Sequence, residues 1–576
     1  MTTLTSLNKE IKVSPSKRKK KEHPSDQLNG ISFKDIEGLK ITFINMPLRE
    51  SAKPNVPPLG PALLAARLRE YGAIPTIIDL NSYRIKDDTT KKNGMENGRL
   101  LSFDESEEML KRHFEKHGDQ DIVALSGMIT TLRWQEEICK IIRRQQPDTF
   151  LISGGGLATE LKDALFEWIP ELDGISDSEG DDIILVIARD IKKYGSLMKK
   201  ESAVTTSTNK YFYGFKNNKP KFSYGGNRPR NLDILPRPAW DLLHEDVYGG
   251  NRLEEYITTP VWGGAANNSS ATPFTMERSM TSVSSRGCPY ACTFCYRGAQ
   301  GERLYGMRSA ENLGEEAIWL KETYDIDFLG YPDDNFAVDK KRIKKMPDIF
   351  NDIGIRWGTH TRLDEADQRV IDMAKSGCVY IGFGAESASE NVLNLMKKGG
   401  FILKNGTVNI NDYNLPKTMV DGVRNCRDVG IHSNCTWIMG YPGETLDDLK
   451  TSIAFILWQE QLYTEGLASS SLEYQMAKQS VNRKMFTATA YPGTEMFKIE
   501  KVRKFLSDVF SLSFTKDFEP VIDKHFRTYV LELDDATKLL TNSDGEPLYF
   551  GDMSMDKFVE ARGHIDNDSL EKIMDL

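Results

Sequence analysis

Long apolar runs are missing from this 576-residue chain. None approaches the ~18–20 residues needed to cross a bilayer, so no membrane span is expected. The early basic run Lys17-Arg18-Lys19-Lys20-Lys21 has no apolar stretch behind it and does not read as a secretory signal. Excess positive charge is missing too. Lysine and arginine number 75 against 84 aspartates and glutamates, a net charge of −9. A nucleic-acid binder usually shows a basic face, and no such partner is expected. Cysteine is scarce: seven residues, an odd number, do not make a disulfide framework and suit a reducing cytoplasm. No repeat of solenoid period occurs. What is present is 39% hydrophobic, 10% aromatic and 28% charged, as in an ordinary globular protein of about two to four domains.

Residues 1–35 read as a disordered, solvated basic tail. Over 36–200 strands alternate with helical patterns. Leu39–Ile44, Pro75–Leu80, Ile122–Ser126 and Thr149–Ile152 are strand candidates; Ala62–Tyr71, Glu105–His117 and Trp134–Gln145 are helix candidates. Residues 81–100 read as a polar loop. The alternation predicts an α/β fold, here a Rossmann-like, doubly wound parallel sheet. Such sheets bind ligands beyond the carboxyl ends of their strands, where Ser126-Gly127-Met128 and Gly154-Gly155-Gly156 fall. Residues 201–262, rich in Asn, Gly, Tyr and Pro, read as a connector. A second β/α series, within 263–500, has strand candidates at Thr281–Ser285, Asp327–Tyr331, Arg356–Thr359, Tyr380–Ala385, His432–Met439 and Arg483–Ala490. Six such units predict an open or partial (β/α)6 barrel. Residues 501–576 form a small mixed extension with no readable chemistry.

The densest chemistry is Arg286-Gly287-Cys288-Pro289-Tyr290-Ala291-Cys292-Thr293-Phe294-Cys295-Tyr296, with spacing C-x3-C-x2-C. Three thiolates on one loop can wrap one metal centre. A structural zinc site would want a fourth Cys or His nearby, and His360 and Cys378 are far along the chain. A 4Fe–4S cluster normally takes four cysteines. Held by three, it has one iron open to a ligand. Cys139, Cys378, Cys426 and Cys435 lie in apolar or mixed contexts and read as packed core.

The cysteine spacing, with Phe294 as the aromatic before the last cysteine, resembles the signature of the radical S-adenosylmethionine superfamily. Membership implies that Cys288, Cys292 and Cys295 ligate a 4Fe–4S cluster whose free iron binds S-adenosylmethionine. Reductive cleavage then gives a 5′-deoxyadenosyl radical. An external electron donor such as a flavodoxin or ferredoxin is implied as well. Three later segments look like the motifs lining the S-adenosylmethionine pocket. They are Asp333-Asp334-Asn335-Phe336, which alone reads as a helix cap, Gly382–Ser387, and Ile438–Thr445. Asp334, Glu386, Ser387 and Glu444 are carried over as contacts.

The N-terminal half resembles the cobalamin-binding domain found ahead of the radical domain in one large subfamily. The resemblance rests on Pro57-Pro58-Leu59-Gly60, Ser126-Gly127-Met128, Gly154-Gly155-Gly156 and Ser178-Glu179-Gly180-Asp181. It implies that Ser126, Met128 and the three glycines approach the corrin and its nucleotide tail. The chain lacks the Asp-x-His-x-x-Gly motif that supplies an axial histidine in classical cobalamin enzymes; His113 and His117 stand outside any such motif. The expected activity is cobalamin-dependent methylation of an unactivated centre in a small molecule. A radical oxidoreductase or cyclase of the same subfamily is the alternative. A methylthiotransferase fits less well, since it would want three further cysteines where the N-terminal half offers only Cys139.

Overall fold

The computed structural model describes residues 30–48, 56–195, 198, 209–258, 276–296, 305–533 and 547–576. The tail expected over 1–35 lies mostly outside the described residues. Its last part is ordered: Phe33–Asp35 form a 3-10 turn, with Ser32 and Asp35 capping each other.

The N-terminal sheet contains β1 (Lys40–Asn45), β2 (Ile74–Asp79), β3 (Ile122–Ser126), β4 (Phe150–Gly154), β5 (Gly174–Asp177), β6 (Phe212–Lys216) and β7 (Lys219–Gly225), in the order β2-β1-β3-β4-β5-β7-β6. All neighbours are parallel except the β6–β7 hairpin. The strands read as continuous apolar runs because helices cover both faces. Phe43, Ile44, Val123, Leu125, Leu151 and Ile152 are all buried, each worth about 1.5–3 kcal/mol against full exposure. The order reverses between β1 and β3, and the crevice at such a reversal is where doubly wound sheets bind ligands.

The expected connector over 201–262 needs correction, because β6 and β7 complete this sheet. Its Asn and Gly residues disguise a short aromatic hairpin. Phe222 and Tyr224 are buried, while the turn is made by Asn217 and Asn218, both at positive φ. The loop expected over 81–100 holds one short helix, Asp88–Lys92, and a bridge between Ile85 and Arg99.

The second half carries β8 (Ser279–Thr281), the short antiparallel pair β9 (Ser285–Arg286) and β10 (Gly306–Met307), then β11 (Phe328–Tyr331), β12 (Arg356–Arg362) and β13 (Cys378–Glu386). The hairpin β14 (Thr407–Ile410) and β15 (Tyr413–Pro416) precedes β16 (His432–Met439) and β17 (Met485–Thr487). A six-stranded sheet runs β8-β11-β12-β13-β16-β17, parallel throughout. This is the expected partial barrel. The expected strand at 281–285 splits around Ser282–Ser284, and the one at 483–490 shrinks to β17. Bulges interrupt β13 against both neighbours; the one toward β16 falls between Gly384 and Glu386, where Glu386 takes φ +65°.

The C-terminal extension is chiefly helical, with helices Glu500–Phe510, Lys524–Glu532 and Met555–Asp566. Val502, Leu506, Phe526 and Tyr529 share one core with β3 and β4. Arg527 reaches Glu136 of the N-terminal half at 2.6 Å. Met555–Asp566 sits beside β17, Arg562 donating to the Met485 carbonyl at 3.2 Å. The extension thus spans both halves. No helix among the described residues is long and apolar enough to cross a membrane.

Candidate active site

The cysteine loop leaves β9 at the carboxyl end of the barrel strands. Gly287 turns the chain at φ +81°, and its N–H donates to Asp334 Oδ2 at 3.1 Å. One residue earlier, buried Asp333 accepts the Ser284 N–H at 2.9 Å, the Ser285 hydroxyl at 2.6 Å and the Ser284 hydroxyl. The two aspartates therefore brace the strand entering the cysteine loop. The helix-cap reading of this motif is corrected: the following 3-10 turn, Phe336–Val338, has no side-chain cap. Burial raises both carboxyls above the usual range.

Further contacts seat the loop itself. The Thr293 N–H donates to the Met396 carbonyl at 3.1 Å, and its hydroxyl meets Tyr441 OH at 2.5 Å. Tyr290 OH donates to Glu365 at 3.0 Å. Cys292 is buried, Cys288 half-buried and Cys295 open to solvent on one side. Protein surrounds the rest of Cys295 and pushes its thiol up to about 12, with Cys292, Asp334, Cys288 and Glu386 adding to the rise. Burial raises the Cys288 thiol as well, with Cys292 adding to the rise. The three sulfurs thus share one field. No trio of His, Cys, Asp or Glu among the described residues converges tightly enough for a single metal ion. A three-cysteine loop without a fourth ligand is the donor set for a larger, thiolate-held cluster with one open metal position.

Arg362, at the end of β12, lies 3.7 Å from Cys292 Sγ and stacks 4.0 Å from the Tyr290 ring centre. Lys398 sits 5.9 Å from the Phe294 ring centre and pairs with Glu386 at 3.1 Å. Both cations are missing from the sequence expectations. Arg362 carries no motif; its one clue is its place at a strand's carboxyl end. Lys398 follows a glutamate by twelve residues, a spacing with no helical or strand meaning. The other carried-over residues divide. Glu386 ends β13 and is held by Lys398. Ser387 is fully buried, its hydroxyl 3.2 Å from Ser452 Oγ and accepting the Ser389 N–H at 3.1 Å, so it holds the turn. Glu444 is also fully buried and accepts the Gly440 N–H at 2.5 Å. Its other oxygen has no partner, and burial pushes its carboxyl up to about 8. Glu444 therefore holds the Gly440–Gly443 turn from beneath.

A cavity of about 360 Å³ opens at the carboxyl ends of β1, β3, β4 and β5. Its walls include Leu64, Ser126, Gly154, Gly155, Glu179 and Asp181, and it reaches Val283 and Arg286 of the other half. A Cβ on Gly154 would meet nothing closer than 3.9 Å, whereas one on Gly155, at φ +83°, would lie 2.8 Å from the Gly127 carbonyl. The glycine turn is thus pressed against the Ser126–Met128 turn to form the floor. Met128 and Gly156 stand beside the cavity rather than on its wall. Met128 is 56% exposed, and Gly156 opens the helix Gly156–Leu161. No histidine among the described residues lines the cavity. His113 is buried elsewhere, Nε2 lying 3.1 Å from Thr76 Oγ1, and burial lowers its ring to about 3. The residues present fit the nucleotide end of a large cofactor: side-chain-free turns, aliphatic walls and a strand-end position.

A Rossmann-like parallel sheet and a partial barrel carrying a three-cysteine loop define an α/β fold. The family model of the radical SAM superfamily matches residues 282–456. It is 24% identical over 498 residues to an uncharacterised methyltransferase of Pyrococcus horikoshii, covering 85% of this chain and 89% of the relative. It is 22% identical over 335 residues to the anaerobic magnesium-protoporphyrin IX monomethyl ester cyclase of Rubrivivax gelatinosus, covering 57% and 53%. Its fold is shared by the radical S-adenosylmethionine methyltransferase TsrM of Kitasatospora setae, solved with cobalamin and a [4Fe-4S] cluster. That match has a TM-score of 0.56 at 15% identity and covers 93% of this chain and 91% of that one.

Proposed function

We propose that this chain is a cobalamin-dependent radical S-adenosylmethionine methyltransferase acting on a small molecule. The carrying observation is the strand-end cavity, whose wall is continuous with the cysteine loop through Arg286. When bound, the cluster supplies the electron that cleaves S-adenosylmethionine, and cobalamin supplies a methyl carrier. The chain's own residues position and shield. Asp334 fixes the entry to the cysteine loop, and Arg362 lays a cation against Cys292. Glu386, on its bulge, offers a carboxylate for S-adenosylmethionine, while Ser387 and Glu444 keep their turns in shape. Ser126, Gly154 and Gly155 would hold cobalamin in the cavity, with Met128 and Gly156 beside it. The working division is a cobalamin unit over 36–225, a connector to 262, the radical domain over 263–500 and the extension beyond. The electron comes from an external donor such as a flavodoxin or ferredoxin, in a reducing cytoplasm.

The cyclase relative favours a second reading, radical chemistry without methyl transfer. One experiment separates them. Anaerobically reconstituted protein carrying cobalamin is reduced and given S-adenosylmethionine. Methyl transfer predicts S-adenosylhomocysteine in amounts comparable to the cobalamin bound, in addition to 5′-deoxyadenosine. Formation of 5′-deoxyadenosine with no S-adenosylhomocysteine would overturn the methyltransferase reading in favour of the second.

A further inference from the structure

The cysteine loop is gripped at both ends by the N-terminal half. Ahead of it, Arg286 stands two residues before Cys288. Its Nη1 lies 2.6 Å from Asp181 and 2.9 Å from Glu179, and its Nη2 lies 3.3 Å from Asp181. Glu179 accepts a further bond from Arg228 at 2.7 Å. The side chains of Arg286, Glu179 and Asp181 are only 18%, 19% and 7% exposed. An ion pair so enclosed is weakly screened, and removing its cation leaves buried carboxylates short of a partner. Behind the loop, Tyr296 follows Cys295 directly, and its phenol lies close enough to the Glu160 carboxylate for each to act electrostatically on the other. Glu160 lies in the helix Gly156–Leu161. Its carboxylate is wedged against Gly493, where a Cβ would collide with it.

Both grips touch the cavity. Arg286, Glu179 and Asp181 belong to its wall, and the helix bearing Glu160 starts one residue after wall residue Gly155. A ligand filling the cavity therefore packs against one clamp and against the turn that aims the other. A cluster wrapped by the three cysteines fixes the ends of the same loop.

We propose that the Arg286 and Tyr296 clamps couple the two sites, so that cobalamin in the cavity and the cluster on the loop each strengthen binding of the other. This rests on the reading that the cavity takes cobalamin. The physics is linkage: both ligands favour one clamped arrangement, and the benefit is reciprocal. Arg286, Glu179, Asp181, Tyr296 and Glu160 are positioning residues.

The test is hydroxocobalamin titrated anaerobically into cluster-free and cluster-reconstituted full-length protein, followed by visible absorbance. The expected Kd ratio is about tenfold in favour of the reconstituted form, within the usual span of coupling between sites. Arg286→Met should bring the ratio near one. Glu160→Gln should lower it partway while iron and sulfide contents stay at the native level. The reduced cluster's electron paramagnetic resonance spectrum should change on cobalamin addition in the native protein and not in Arg286→Met. Should Arg286→Met fail to fold, Arg286→Lys keeps the charge but loses the two-carboxylate fork, and it too should reduce the ratio. Equal Kd values in the native protein would overturn the coupling and leave the proposed function standing. A full ratio in the Arg286 variants would overturn the clamp as its carrier. Absence of cobalamin binding in either state would overturn both readings together.

Discussion

The N-terminal cavity and the cysteine loop are built in contrasting ways. The cavity is walled chiefly by strand ends, glycine turns and aliphatic side chains of the N-terminal half, with Val283 and Arg286 added from the other half. The cysteine loop has little core of its own. Its shape comes from polar contacts reaching in from elsewhere: Asp333 and Asp334 from β11's exit, Glu365 and Arg362 from around β12, Met396 and Tyr441 from later turns, and Glu160, Glu179 and Asp181 from the other half. A site walled by its own packing tolerates loss of a single polar group. A site assembled from distant contacts is sensitive to each of them, and the contrast can be broken or sharpened by substitution.

The largest effect is expected from Cys292→Ala. Removing one of three thiolates should abolish cluster retention and 5′-deoxyadenosine formation, read by iron analysis and chromatography, while cobalamin still binds. Next is Gly155→Val. Its backbone, at φ +83° and ψ −162°, costs a side chain about 1–3 kcal/mol, and the Cβ meets the Gly127 carbonyl. Cobalamin affinity should fall by roughly one to two orders of magnitude with iron content unchanged, the mirror image of the first variant. Asp333→Asn should cost about 1–3 kcal/mol of stability, seen as a lower Tm, because an amide cannot accept all three bonds. Arg362→Gln should lower the cluster's reduction potential. A cation beside Cys292 favours the more negative, reduced state, and loss of about 1 kcal/mol corresponds to ~40 mV for one electron. Potentiometric titration reads it.

A further effect concerns pH. The Glu444 carboxyl, raised by burial to about 8, holds a proton in the folded chain that the unfolded chain has released above its ordinary value of 4.5. Stability therefore falls as pH rises from about 4.5 to 8. Glu444→Gln should flatten that fall in denaturant titrations at stepped pH; an unchanged slope would place the carboxyl elsewhere in energy.

The sequence reveals these two regions unequally. Parallel strands show as apolar runs, so β1 to β4 and most barrel strands are legible within a few residues. The hairpin β6–β7 is not, because its Asn and Gly residues carry the composition of a loop. Cys288, Cys292 and Cys295 are legible because three ligands on one loop must be close in sequence. The residues that hold them are not. Arg286 and Tyr296 stand inside the motif, yet their partners Asp181 and Glu160 lie more than a hundred residues earlier. Arg362 and Lys398 reach the loop only once β12 and β13 are paired. Ser387 shows the reverse case, since a motif can mark a turn near a site while its side chain is spent on the turn itself.

The proposed function requires one chain to hold two cofactors. It is tested most directly by chemical analysis of the native protein after anaerobic reconstitution with iron, sulfide and hydroxocobalamin and removal of unbound material. About four irons, about four sulfides and about one cobalamin per chain are expected. A single iron without sulfide, or a full cluster with no cobalamin retained, would contradict it.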